Sequence, residues 1–174
     1  MLPDRCDLLI IGAGPAGTSA AIMAARAGLD VVVVDKARFP RDKCCGDGLT
    51  TLALRQLHAL GFDPSTVPSW RDVDAAWLRS PSGREVRLPL PTEGRFAAVT
   101  PRIELDAALV DLARQSGARV VEDTSFESIE ASDDRVTVHL RTESGMSDLT
   151  ADWVIAADGM WSPVRKAQIG RAHV

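Results

Sequence analysis

Eleven residues near the start of the chain constrain its fold more than any others: Asp7-Leu8-Leu9-Ile10-Ile11-Gly12-Ala13-Gly14-Pro15-Ala16-Gly17. An apolar run of one strand's length feeds directly into glycines spaced G-x-G-x-x-G, and small helix-forming residues follow. This is the layout that a dinucleotide pyrophosphate requires. Gly12 permits the tight turn out of the strand, Gly14 lets phosphates approach bare backbone, and Gly17 lets the helix pack closely. The free N–H groups at the helix start, with the positive end of its dipole, then face the phosphates. Pro15 suits the first turn, where a missing N–H costs nothing.

The next segment completes a βαβ unit. Pro15 to Ala27 reads as an alanine-rich helix stopped by Gly28, and Leu29 to Val34 as a strand. The unbroken valine run suits a parallel sheet covered on both faces. That strand ends in Asp35, close to the expected spacing of about 20 residues from the glycine motif. A carboxylate there accepts hydrogen bonds from the adenosine ribose hydroxyls and repels a 2′-phosphate, which disfavours NADP. FAD and NAD both fit this first motif.

Beyond the unit, Ala37 to Gly48 reads as a polar loop. Leu49 to Leu60 reads as a helix with Leu49, Leu52, Leu57 and Leu60 on its apolar side. Val73 to Arg79 and Glu85 to Leu90 form a hairpin. Pro101 opens a helix to Ser116 with Leu105, Leu109 and Leu112 inward, and Arg119 to Val121 returns to the main sheet. A second hairpin pairs Phe126 to Ala131 with Arg135 to Arg141. Asp152 to Ala157 reads as a last buried strand, ending at Asp158-Gly159.

The net charge of −4 argues against a nucleic-acid surface. No apolar run approaches the roughly 20 residues of a membrane span. Cys6, Cys44 and Cys45 make no disulfide framework, so a reducing cytoplasm is the expected compartment. The three histidines lack metal-ligand spacing, so no metal site is expected. Trp70, Trp77, Trp153 and Trp161 read as packing residues.

Three later stretches carry a resemblance. Ala157-Asp158-Gly159-Met160-Trp161-Ser162-Pro163-Val164-Arg165 resembles the late G/A-D-G-x-x-S-x-V-R signature of the flavoproteins that include aromatic hydroxylases and geranylgeranyl reductases. Phe39-Pro40-Arg41-Asp42-Lys43-Cys44-Cys45-Gly46-Asp47-Gly48-Leu49 resembles the F-P-R-x-K-x-C-G-D-G-L segment of bacterial geranylgeranyl reductase-like proteins, actinobacterial menaquinone reductases among them. Thr100-Pro101-Arg102-Ile103-Glu104-Leu105-Asp106 resembles the P-R-x-x-[FL]-D motif of the same family.

The resemblance implies an α/β, Rossmann-like FAD-binding domain of the aromatic hydroxylase/geranylgeranyl reductase type, with inserted β-hairpins and C-terminally truncated. FAD is the implied cofactor. The implied cofactor-binding residues are Gly12, Gly14, Pro15, Ala16, Gly17, Asp35, Lys36, Cys45, Gly46, Arg102, Phe126, Asp158 and Gly159. In the family the aspartate matching Asp158 binds a ribityl hydroxyl, and the arginine matching Arg102 lies near the pyrophosphate and ribityl chain. The loop matching Cys45-Gly46 passes beside the flavin ring. The position matching Phe126, usually valine, offers its backbone to adenine. Cys45 is the one flavin-proximal candidate for a catalytic role, and Asp106 is expected to cap or pair locally.

The implied activity is reduction of isoprenoid carbon–carbon double bonds, in a geranylgeranyl chain or a menaquinone side chain. The flavin carries the chemistry, and the protein supplies orientation and electrostatics. The partners this implies are a polyprenyl lipid or quinone substrate, an electron donor for which NADPH is a candidate, and peripheral contact with the inner face of the cell membrane. The alternatives are an FAD-dependent monooxygenase or halogenase, or an inactive FAD-binding fragment. The domain is expected to span 1–168, with the start of a substrate-side sheet at about 68–100. Residues 169–174 match what a common sequencing adapter encodes and are expected to be a non-native tail on a truncated frame.

Overall fold

A computed structural model describes residues 2–91, 93–94 and 96–169. The remainder of the expected tail, 170–174, lies outside them. In chain order the elements are β1 (Arg5–Ile11), α1 (Pro15–Arg26), β2 (Val31–Val34), β3 (Gly48–Thr50), α2 (Thr51–Ala59), β4 (Arg71–Asp72), β5 (Ala75–Arg79), β6 (Glu85–Pro89), β7 (Ala97–Val99), α3 (Arg102–Gln115), β8 (Arg119–Val121), β9 (Ser125–Ala131), β10 (Val136–Thr142), β11 (Gly145–Ala156) and α4 (Pro163–Gln168). They divide into two compact units. One holds the residues up to Arg41 and from Asp106 onward; the other is Asp42–Leu105.

The first unit is built on a sheet of order β8-β2-β1-β11-β10-β9. Its first four strands are parallel, with Leu8 to Ile11 in register with Val31 to Val34 and with Trp153 to Ala156. All four valines of β2 are fully buried, as an unbroken apolar run in a covered parallel sheet requires. Helix α1 buries Gly17, Thr18, Ala21 and Ile22. It ends in a Schellman arrangement: Leu29 N–H donates to Ala24 and Gly28 N–H to Ala25. That cap takes Leu29 out of the expected strand, which begins instead at Val31.

Strand β11 serves two partners. Its first half pairs antiparallel with β10, and its second half runs parallel to β1. One core therefore joins Leu9, Ile11, Val32 and Val34 to Val138, Leu140 and Leu149, with Val164 of α4 added. The expected burial of the last strand, Asp152 to Ala157, is not met: Val154 is only partly buried against the core, and Trp153 is 73% exposed. Trp161 is equally exposed, so neither tryptophan is a packing residue among the described residues.

The second unit holds a three-stranded antiparallel sheet, β3-β7-β4, and the separate hairpin β5-β6. This unit contains the segment 68–100 together with the loop after Asp42 and helix α2. Helix α2 also starts later than the leucine spacing predicts. Gly48 to Thr50 pair with β7, and the Thr50 hydroxyl accepts from Ala53 N–H at 3.4 Å as the cap. The shift turns Leu54 and Leu60 inward and leaves Leu52 exposed. Trp70 packs on Phe62, whereas Trp77 on the hairpin is exposed.

Candidate functional site

The glycine motif is a close-packed corner of the first unit. Gly12 has φ +105°, a conformation that favours glycine. A Cβ at Gly12 would lie 2.4 Å from the carbonyl oxygen of Ala157. One at Gly17 would lie 1.8 Å from the carbonyl oxygen of Gly12. Neither position accepts any side chain. Gly14 differs: its Cβ place meets only Arg41 Nη2, at 3.7 Å, so this glycine leaves a surface bare rather than a gap closed. Gly14 also caps α1 without a side-chain hydrogen bond, and Pro15 is the first helical residue. The first turn carries no acidic side chain, so nothing on the helix itself offsets the positive end of its dipole.

Asp35 stands at the end of β2 and ties this corner together. Its Oδ2 accepts from Ala13 N–H at 2.7 Å, and its Oδ1 accepts from Ala37 N–H at 2.9 Å. Each carboxylate oxygen keeps a second lone pair for a further donor. Lys36 beside it is exposed. Thr124 N–H donates to the Asp35 carbonyl at 2.9 Å, which ties the turn between β8 and β9 to the end of β2. Phe126, two residues on, is half-buried against the core and pairs with Leu140 where β9 changes register.

The Asp158-Gly159 turn follows the strand that closes on Gly12. Asp158 Oδ2 accepts from Val164 N–H at 3.2 Å, while its buried Oδ1 has no hydrogen-bond partner. Gly159 turns with φ +86°, and Ser162 caps α4 by accepting from Arg165 N–H at 2.9 Å. Val164 is buried, and the Arg165 guanidinium donates to the Met160 carbonyl. The serine, valine and arginine of this signature thus build the turn, and the aspartate alone presents an unused acceptor.

Cys45, Gly46 and Arg102 lie in the second unit. The loop is held against the start of α3: Thr100 N–H donates to the Asp47 carbonyl at 3.0 Å, and Arg102 N–H to Asp47 Oδ1 at 3.3 Å. Asp47 takes φ +53°, uncommon for a residue with a side chain. The Asp47 N–H first, and the Arg102 guanidinium second, hold the Cys45 thiol below the usual thiol range. Cys44 is exposed beside it. Cys6, on strand β1 of the main sheet, is pushed up to about 11 by burial and by Asp30. Among the described residues no cluster of three His, Cys, Asp or Glu is placed to hold a metal ion. Among the described residues no helix is long and apolar enough to cross a membrane.

A family model described as an FAD binding domain matches residues 5–171. The chain belongs to this family. Its FAD-binding domain is 36% identical over 168 residues to a menaquinone reductase of Mycobacterium tuberculosis, which covers 97% of this chain and 41% of that protein. It is 45% identical over 130 residues to a menaquinone reductase of Mycolicibacterium smegmatis, covering 72% of this chain and 31% of that protein. Among solved structures, a geranylgeranyl bacteriochlorophyll reductase-like protein of Thermoplasma acidophilum superposes with a TM-score of 0.81 at 26% identity. That match covers 94% of this chain and 42% of the other. The chain thus spans less than half the length of these relatives.

FAD is the cofactor of the family, and the residues present fit it. The bare face of Gly14 and the uncompensated start of α1 suit a pyrophosphate. The unpaired, buried Asp158 Oδ1 is an acceptor waiting for a hydroxyl donor.

Two side chains outside the sequence-derived set belong to this corner. Asp106, expected to pair locally, is fully buried on α3, and its Oδ2 lies 3.0 Å from Arg41 Nη1. The partner is distant in sequence because α3 returns over the loop after β2, and a buried carboxylate needs a cation. Arg41, in the Phe39-Pro40-Arg41 segment, thus lies beside Gly14, a placement that the family motif around Cys45 does not indicate.

Proposed function

We propose that this chain is the FAD-holding part of a reductase that saturates isoprenoid carbon–carbon double bonds, in a menaquinone side chain or a geranylgeranyl lipid. The observation that carries the cofactor side of the reading is the pair formed by the bare Gly14 face and the unpaired Asp158 Oδ1 in one unit. The substrate class is supported by the menaquinone reductases to which the chain is similar. When bound and reduced, FAD supplies a hydride to an otherwise unactivated double bond.

The chain's own residues bind and orient. In the first unit, Gly12, Gly14, Pro15, Ala16 and Gly17 shape the pyrophosphate face, and Asp35 accepts from the ribose. Phe126 offers backbone to adenine, and Lys36 lies at the exposed adenosine side. Asp158 accepts from the ribityl chain, and Gly159 keeps that approach clear. In the second unit, Cys45, Gly46 and Arg102 form the flavin-side group, with Arg102 contributing a planar fork of donors. NADPH as electron donor and peripheral contact with the inner membrane face complete the proposal.

The test uses the full-length protein, reduced anaerobically with a polyprenyl quinone, and mass spectrometry of the product. A gain of two hydrogens is the expected result. A gain of oxygen instead assigns the protein to the monooxygenases. A colourless preparation that takes up no added FAD overturns the cofactor reading.

A further inference from the structure

Arg41 is held on three sides within the first unit. Nη1 lies 3.0 Å from the fully buried Asp106 Oδ2, the guanidinium carbon lies 4.9 Å above the Phe39 ring, and Nη2 stands beside the bare face of Gly14. The side chain is only 17% exposed. Nη1 meets Asp106 as an ionic contact outside hydrogen-bond alignment and makes no hydrogen bond. A long, flexible side chain has therefore been ordered, at an entropy cost, next to the one glycine of the G-x-G-x-x-G motif whose face is left open. A guanidinium fixed by a buried carboxylate and an aromatic face still presents its remaining donors in a fixed fork, the geometry that matches phosphate oxygens.

We infer that Asp106 is a positioning residue for the cofactor's phosphates: it acts through Arg41, whose guanidinium it fixes at the Gly14 face to receive the anionic pyrophosphate. The inference rests on the FAD reading above. Asp106 itself touches no cofactor, because a carboxylate facing a phosphate would repel it. Its charge is offset by Arg41, so the pair places a donor fork at the phosphates without adding a net positive charge. The shared motif position of Asp106 then has a physical reason beyond helix packing.

A double-mutant cycle on FAD affinity tests this with the full chain. FAD dissociation constants are measured by flavin fluorescence for the wild type, Asp106→Asn, Arg41→Met and the double variant. Asp106→Asn keeps the volume and should weaken FAD about tenfold, the scale of a charge-assisted hydrogen bond. In the Arg41→Met background the same change should have no further effect. Arg41→Lys supplies a second background if Arg41→Met fails to fold, since it keeps the charge and loses the fork. An equal loss from Asp106→Asn in both backgrounds overturns the inference in favour of a purely structural aspartate. Unchanged affinity in Asp106→Asn overturns it as well. A wild-type chain that binds no FAD removes the cofactor reading and the inference together, so the two failures are distinguishable.

Discussion

The missing Cβ of Gly12 points at the carbonyl oxygen of Ala157, 2.4 Å from where that carbon would sit. The glycine turn after β1 and the aspartate turn after β11 are therefore in direct backbone contact. Ala157 N–H also donates to the Ile11 carbonyl at 2.8 Å. Two motifs nearly at opposite ends of the chain thus form a single corner. Any side chain at Gly12 must move the strand end that carries Asp158.

Gly12→Ala should consequently be costly in two ways. The backbone sits at φ +105°, and the clash is with main chain that cannot rotate away. Strained backbone of this kind costs about 1–3 kcal/mol before the clash is counted. Gly28→Ala is the control: its φ is +89°, but nothing lies within 4 Å of the added carbon. Urea denaturation should show a loss of about 1 kcal/mol for Gly28→Ala and a distinctly larger loss for Gly12→Ala. Equal losses would mean that the contact with Ala157 carries no weight.

The Asp158 turn separates a ligand residue from folding residues. Asp158→Asn can still accept from Val164 N–H through its amide oxygen, but it puts an amide donor where the unpaired Oδ1 stands. Stability should change little, while FAD binding should fall about tenfold, in line with a lost hydrogen bond to a charged acceptor. Ser162→Ala removes the cap of α4 and should cost about 1 kcal/mol of stability. Its effect on FAD should be the smaller one. Thermal unfolding and fluorescence titration of both variants check the division.

Much of this corner was legible in the sequence because its causes are local. A glycine is read from its spacing, the valines of β2 from their run, and Asp35 from its place at a strand end. What escaped depends on pairing across distance. Nothing near Asp106 indicates that Arg41 will meet it, since that contact is made only when α3 packs back. The leucine spacing places the helix start at Leu49, two residues early, because spacing registers neither the Thr50 cap nor the pairing of Gly48–Thr50 with β7. Trp153 reads as a packing residue, yet its side chain is 73% exposed, because residue type does not tell which face of β11 is covered.

Cysteine reactivity should follow environment rather than position in sequence. Cys6 is buried, with its thiol pushed up to about 11, so it should stay unmodified in folded protein. Cys45 is exposed and held low by the Asp47 N–H and then Arg102, so it should be alkylated first by iodoacetamide at neutral pH. Arg102→Leu should slow that reaction while leaving Cys44 unchanged. Peptide mass spectrometry over a time course reads all three sites. Labelling of Cys6 ahead of Cys45 would contradict the assignment.

His139 gives the fold a pH dependence of definite sign. Its Nδ1 lies 2.6 Å from Asp148 Oδ1 across the β10–β11 pair, and Glu130 lies 3.5 Å from Nε2. The hydrogen bond with Asp148, and then the charges of Asp148 and Glu130, raise the imidazole above its ordinary value, with desolvation opposing. A raised value means that folding favours the protonated form. The stabilisation is fully present below the unfolded value of about 6.5 and is lost as pH rises through the raised folded value. His139→Gln should therefore lower the urea midpoint more at pH 6 than at pH 8.5, and Asp148→Asn should shrink that difference. The ring is solvent-accessible, so added salt should weaken the effect. A His139→Gln variant whose deficit grows with pH would reverse the assigned sign.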